Sequence, residues 1–150
     1  MLAGPRKRNT GMTTNIKFEG QCKCGDNTWT CSATPEMAAI CHCRDCQYSS
    51  GGTNQAEFLV PLSSVKMTGK PSSYVATSDA GNQVTRQFCG NCGSPLYSFA
   101  DNHADKLVIK MGSMNNPNEI VPQFHMFTES ATSWDVIVSG LRFPGNPTPA

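Results

Sequence analysis

Seven of the eight cysteines in this chain fall into short clusters, and their spacing constrains the fold more than any other feature. The clusters are Cys22-x-Cys24, Cys41-x-Cys43-x-x-Cys46 and Cys89-x-x-Cys92. Cysteines spaced in this way either form disulfides or bind a metal ion. A disulfide between Cys22 and Cys24 is disfavoured, because a bridge between residues two apart conflicts with disulfide geometry. The first cluster therefore favours metal binding.

The N-terminus bears on the same choice. Arg6, Lys7 and Arg8 are basic, but no apolar segment follows them, so the sequence predicts no secretory signal. No apolar run approaches the roughly 18 residues of a membrane-spanning helix. We therefore expect a cytoplasmic protein with no membrane partner, in which thiols stay reduced and are free to bind metal.

Length and charge restrict the class of protein. The 150 residues suit one domain, and we predict a zinc domain over 16–143 between a flexible N-terminal extension (1–15) and a flexible tail (144–150). The formal net charge is +1 and the Lys and Arg residues are scattered. A zinc-ribbon protein that binds nucleic acid would need a basic stripe near its cysteines, so the charge argues against a nucleic-acid partner.

Short alternating segments predict a mainly β fold. The segments with strand-like patterns are 27–33, 56–61, 73–77, 84–88, 96–99, 106–111 and 120–127. Gly, Pro, Asn and Ser separate them, and long amphipathic helical stripes are absent. At most two short helical turns are predicted, one after Cys43 and one near Ser133–Trp134. The sequence thus predicts short antiparallel strands organised around zinc.

Cys22, Cys24, Cys89 and Cys92 together supply the four thiolates of a closed, structural zinc site. Glycines beside these cysteines let the backbone turn tightly around a metal. The alternative for the last two cysteines is a redox dithiol, which belongs at a junction between a strand and a helix. No helical pattern follows Cys92, so zinc is the favoured interpretation.

Cys41, Cys43 and Cys46 form a second cluster with no fourth cysteine close in sequence. Three protein ligands and one exchangeable position are typical of catalytic zinc. His42 points away from its two neighbours if the chain is extended there, so we expect it to form hydrogen bonds that brace the loop. Arg44 either offsets the negative charge of a zinc ion bound by three thiolates or lies on the surface.

Three residues outside the clusters also have predicted roles. Cys31 is expected to be a small, buried apolar residue. Trp134 is expected in the core rather than in a pocket wall. His125 lies between Phe124 and Met126, and the sequence leaves open whether it lines a pocket or is a hydrogen-bonded histidine of the core or a sheet edge.

The motifs resemble those of the glutathione-dependent formaldehyde-activating enzyme family, whose fold is similar to the Mss4-like β-tent. The resemblance covers nearly all of residues 18–143. It rests on Gly20-Gln21-Cys22-Lys23-Cys24-Gly25, Cys41-His42-Cys43-Arg44-Asp45-Cys46, Phe88-Cys89-Gly90-Asn91-Cys92-Gly93-Ser94, Met111-Gly112-Ser113-Met114, Phe124-His125-Met126-Phe127 and Ser133-Trp134. Because these motifs occur in the family's order, the resemblance is far more specific than a single Cys-x-x-Cys.

The resemblance implies two zinc ions per chain. The structural ion is implied on Cys22, Cys24, Cys89 and Cys92, and the catalytic ion on Cys41, Cys43 and Cys46. The implied activity is that of a carbon–sulfur lyase, which adds the thiol of glutathione, or a similar thiol, to formaldehyde or a related small aldehyde. The sequence leaves open whether the thiol, or instead the aldehyde oxygen or water, takes the exchangeable position. The alternative is a non-catalytic scaffold or interaction module with an Mss4-like fold, and no feature specifies an oligomeric state.

Overall fold

The computed structural model describes residues 15–137 and 140–147. Residues 1–14 of the predicted N-terminal extension and residues 148–150 of the predicted tail lie outside the described residues. The division of the chain into extension, zinc domain and tail therefore stays a prediction. Within the described residues, no helix is long and apolar enough to cross a membrane.

The described residues form a mainly β structure with one short α-helix, which confirms the predicted fold class. The strands are β1 (Phe18–Gln21), β2 (Thr28–Cys31), β3 (Met37–Cys41), β4 (Gln55–Pro61), β5 (Val65–Thr68), β6 (Ser72–Thr77), β7 (Gln83–Phe88), β8 (Pro95–Ala100), β9 (Lys106–Lys110), β10 (Phe124–Met126) and β11 (Leu141–Arg142). The helix, α1, spans Arg44–Ser50. Short 3-10 turns cover Leu62–Ser64, Asp101–His103, Met111–Ser113, Pro117–Glu119 and Thr128–Ser130.

The strands form two sheets. The smaller sheet has the order β1-β2-β5, and the larger has the order β11-β10-β3-β4-β9-β8-β7-β6. The pairings are antiparallel except at one edge, where β10 runs parallel to β3 and β11 runs parallel to β10. This edge brings the C-terminal part of the chain beside the second cysteine cluster, because Met126 is the register partner of Cys41.

The main core joins the two sheets. Trp29 of β2 is 1% exposed, and its ring centroid lies 6.0 Å from that of Phe58 on β4. The indole Nε1 of Trp29 donates a hydrogen bond to Ser113 Oγ at 3.0 Å, so the buried ring has its polar atom satisfied. Cys31 is buried at 1% exposure in the same core, as predicted for a small apolar residue.

Four strands were not predicted from the sequence: β1, β3, β5 and β11. The strand β3 has buried residues at Ala38, Ala39 and Cys41, so it lacks the alternation by which half-buried strands are recognised. The strand β10 covers only the end of the predicted segment 120–127, since Pro122 has no N–H with which to continue a ladder.

The prediction for Trp134 is wrong. A helix does begin after Cys43 as predicted, but the chain makes only a turn at residues 133–134, and Trp134 is 72% exposed. The next residue, Asp135, turns its carboxylate inward towards His42.

Candidate metal centres

The first and last cysteine clusters come together where the two sheets meet. Cys22 and Cys24 follow β1 of the smaller sheet, whereas Cys89 and Cys92 follow β7 of the larger sheet. The Sγ of Cys24 lies 3.6 Å from the Sγ of Cys22 and 3.6 Å from that of Cys89. All four sulfurs lie within 4.8 Å of one another, so they can hold a metal ion.

Each cysteine pair of this group sits on a tight turn. The backbone N–H of Gly25 donates to the carbonyl of Cys22 at 3.1 Å, and that of Gly93 donates to the carbonyl of Cys89 at 2.8 Å. The φ angles of Gly25 and Gly93 are 84° and 76°, in the left-handed region that favours glycine. These two glycines therefore permit the turns that bring the sulfurs together.

The sulfur spacing fits a tetrahedral ion. With a metal–sulfur distance of about 2.3 Å, the edge of a tetrahedron is about 3.8 Å, close to the 3.6 Å distances between these sulfurs. The hydroxyl of Ser94, with its backbone N–H, lowers the pKa of the Cys92 thiol to about 5. The donor set is thus four soft sulfurs, which suits a closed site for an ion such as zinc.

The second cluster is built by the end of β3 and the start of α1. Cys41 ends the strand, and the Sγ of Cys43 caps the helix by accepting a hydrogen bond from the backbone N–H of Cys46 at 3.3 Å. The three sulfurs lie within 4.8 Å of one another. Among the described residues, no fourth His, Cys, Asp or Glu ligand atom joins this group.

The three thiols of this cluster titrate together. Contacts with the thiols of Cys41 and Cys46 lower the pKa of Cys43 to about 2. The contact with Cys43 raises the pKa of Cys41 to about 12, and contacts with the other two sulfurs raise the pKa of Cys46. Adjacent thiolates repel one another, so a divalent cation would stabilise all three in the charged form. The cluster therefore fits a thiolate-binding metal.

A separate small apolar cluster surrounds these thiols. Ala39, Met126, Cys41 and Cys46 are its buried members, and Met37, Cys43, Phe124 and Phe127 pack against them. The low polarity of these neighbours strengthens electrostatic interactions at the sulfurs.

His42 does not join the thiols but contacts the C-terminal part of the chain. Its ring is 1% exposed, and its Nε2 lies 2.9 Å from Nδ1 of His125. Its Nδ1 lies 3.3 Å from Oδ2 of Asp135, close enough for an electrostatic contact although the N–H is not aligned for a hydrogen bond. Burial, followed by the charge of His125, lowers the pKa of His42. The structure thus places His42 and His125 together as hydrogen-bonded histidines.

A pocket of about 580 Å³ lies between α1 and strands β6 to β9, and the three cysteines themselves are not part of its lining. Its lining includes Asp45, Tyr48, Ser49, Tyr74, Arg86, Tyr97 and Lys110. Asp45 and Ser49 belong to the helix that carries Cys46, so the pocket and the cluster share α1 as a wall. Pockets of a few hundred cubic ångströms are typical of small-molecule sites.

The sequence did not point to Arg86. After the contacts with the other thiols, Arg86 also contributes to the lowered pKa of Cys43. Arg44, the residue considered for that role, is exposed, donates to Gln47 Oε1 and stacks 4.7 Å above the ring of Tyr48. Of the two alternatives considered for Arg44, the structure therefore fits a surface position. Arg86 was missed because it lies on β7, far from these cysteines in sequence.

The chain is similar to one known protein family and to a solved structure. The sequence model of the glutathione-dependent formaldehyde-activating enzyme family matches residues 17–130, a range that contains all seven clustered cysteines. No curated protein matches the chain. A crystal structure of a Rhodobacter sphaeroides protein is 17% identical and covers 69% of this chain and 97% of its own, with a TM-score of 0.55, a likeness that concerns the fold alone. This chain belongs to the glutathione-dependent formaldehyde-activating enzyme family.

Proposed function

We propose that this chain is a zinc-dependent carbon–sulfur lyase that adds a thiol to formaldehyde or a related small aldehyde at Cys41, Cys43 and Cys46. The observation that carries the proposal is the convergence of three sulfurs, with no fourth ligand atom from the described residues, beside a pocket of about 580 Å³. Structural zinc sites use four protein ligands, whereas catalytic sites use three and keep one position for water or substrate.

In this proposal each chain binds two zinc ions with different roles. The structural ion is assigned to Cys22, Cys24, Cys89 and Cys92, and the catalytic ion to Cys41, Cys43 and Cys46. When bound by three thiolates, zinc supplies Lewis acidity that favours a thiolate over a thiol or polarises a carbonyl oxygen. A cytoplasmic location, where cysteines stay reduced, is part of the proposal.

The proposed reaction balances without any oxidant or further cofactor. The sulfur of the thiol forms a bond to the aldehyde carbon, and the proton of the thiol ends on the aldehyde oxygen. The chain's contribution is to exclude water from the sulfurs through Met126, Phe124 and Phe127 and to orient the thiol along the pocket. Holding a thiolate close to an aldehyde in the orientation for attack lowers the barrier to addition.

The pocket supports a peptide-like thiol as the substrate. Arg86 is half-buried in its wall, and none of the described carboxylates lies within 4.0 Å of its guanidinium. Lys110, the second cation of the wall, is already paired with Glu57. An unpaired guanidinium favours a carboxylate ligand, and glutathione, which the family's name specifies, carries two such groups.

Exchange NMR on a mixture of glutathione and formaldehyde tests the proposal. The zinc-loaded protein is expected to accelerate exchange between free and hydroxymethylated glutathione. A Cys43→Ser variant should lose this acceleration, whereas Cys31→Ser, the same chemical change outside both clusters, should retain it. The proposal is wrong if wild type is no faster than folded Cys43→Ser. In that case zinc bound without catalysis would favour the scaffold alternative.

A further inference from the structure

The C-terminal segment, defined here as residues 124–135, forms one side of the three-cysteine cluster. Its strand β10 lies parallel to β3, which places Met126 beside Cys41. The backbone N–H of His42 donates to the carbonyl of Met126 at 3.0 Å, one residue beyond the end of β3. The segment thus contacts the loop that carries the cysteines along its length, although it comes from a distant part of the sequence.

Two buried side chains fasten this segment to the cysteine loop. The amide Nε2 of Gln47, which is 5% exposed, donates to the carbonyl of His42 at 2.8 Å and to that of Ser130 at 3.0 Å. The ring of His42, which lies on the cysteine loop, contacts His125 and Asp135 of the C-terminal segment. Gln47 and His42 are each adjacent in sequence to a cysteine of the cluster. A shift of the C-terminal segment would therefore also shift the sulfurs.

The contacts of His42 indicate which of its ring nitrogens carries the proton. The negative charge of the Asp135 carboxylate, 3.3 Å from Nδ1, favours the His42 tautomer with its proton on that nitrogen. Nε2 of the neutral ring must then accept, and Nδ1 of His125 must donate across the 2.9 Å contact. Among the described residues, neither Nδ1 of His42 nor Oδ2 of Asp135 has a hydrogen-bond partner, so each buried atom depends on the other.

We propose that His42 is a positioning residue through which docking of the C-terminal segment sets the metal affinity of the three-cysteine cluster. The inference rests on the proposed function only in assuming that the cluster binds a metal ion. The backbone of His42 joins Cys41 to Cys43, so contacts that hold its ring against His125 and Asp135 restrain the relative positions of two ligands. Metal binding would in return hold the segment in place, because coupling between two sites is reciprocal.

Cobalt titration of the full-length apoprotein tests this proposal, because thiolate-bound Co²⁺ absorbs visible light. Asp135→Asn keeps the size of the side chain and removes the charge that fixes the ring of His42. We expect it to weaken cobalt binding at the three-cysteine cluster about tenfold, the lower end of the range for groups that hydrogen-bond directly to a metal ligand, because Asp135 acts through His42. Asp101→Asn, in the exposed turn after β8, is the matched control and should leave the affinity unchanged.

The four-cysteine group serves as an internal reference in the same molecule. Its cobalt affinity should stay within about twofold of wild type in Asp135→Asn, because a local positioning effect does not reach it. Equal weakening at both sites would show general destabilisation and overturn the proposal, as would no change at either site. His42→Gln provides a second variant with the same expected pattern. Failure of wild type to bind a second cobalt ion would instead overturn the proposed function, and this inference with it.

Discussion

Nζ of Lys110 lies 2.6 Å from Oε2 of Glu57, and both side chains are almost completely buried beside the three-cysteine cluster. A buried ion pair adds little net stability, but removing one partner leaves an isolated charge in a dry environment. Lys110→Met is therefore expected to lower the free energy of unfolding by about 3–5 kcal/mol, measured by urea denaturation.

The control for this prediction is Lys106→Met. Lys106 pairs with Glu36 at the surface, where solvent screens the charges, so its loss should be much smaller. The double variant Lys110→Met with Glu57→Gln should recover most of the lost stability, since no charge then remains buried. Equal losses in Lys110→Met and Lys106→Met would contradict this account.

Gly20 should not tolerate even a methyl group. A Cβ at this position would lie 2.2 Å from the carbonyl oxygen of Ser113 and 2.4 Å from the ring of Trp29. Because both neighbours are held in the core, Gly20→Ala is expected to cost about 3 kcal/mol or more of unfolding free energy. Gly112→Ala, where a Cβ meets nothing within 4 Å, is the matched control. A similar thermal midpoint for both variants would refute the prediction.

Arg86 is expected to govern the use of thiols that carry carboxylates. Arg86→Gln should raise KM for glutathione about tenfold, the equivalent of one charge-assisted hydrogen bond. The KM for 2-mercaptoethanol, which has no carboxylate, should change little. Lys66→Gln removes an exposed positive charge from the other sheet and serves as the control for net charge. An equal change for both thiols in Arg86→Gln would show that the guanidinium does not recognise the carboxylate.

On the proposed assignment, metal ions bound at the two cysteine groups should differ in how their removal affects the fold. The four-cysteine group joins the two sheets, whereas the three-cysteine cluster lies within the larger sheet and its helix. A mild chelator is expected to remove the ion held by three protein ligands first, with little change in circular dichroism. Removal of the second ion should lower the thermal midpoint steeply, because a structural zinc contributes directly to folding. Loss of both ions in one step, together with unfolding, would argue against two distinct sites.

Sequence spacing alone predicted which cysteines come together. A metal ion needs three or four sulfur ligands, and few groupings of the clustered cysteines supply them. Cys41, Cys43 and Cys46 are local in sequence, and the glycines after Cys24 and Cys92 indicate their turns. These predictions succeed because the turns and the spacing of these cysteines are determined by residues close together in sequence.

Features that depend on long-range pairing could not be predicted in this way. Arg86 reaches the pocket only because β7 lies two strands from β9 in the larger sheet. The parallel pairing of β10 with β3 has no local signal either, and it determines the partners of His42. The prediction for Trp134 failed because the large apolar side chain favours burial in general, whereas here it is exposed and its neighbour Asp135 contacts His42.

The sequence separation of the cysteines has a consequence for the order of events during folding. In the four-cysteine group, Cys24 and Cys89 are 65 positions apart, so the long intervening loop must close before both can share one ion. The other three thiols span six residues and need no such closure. The local cluster can therefore bind an ion in a largely unfolded chain, whereas the distant one can do so only late, after the loop between its two halves has closed.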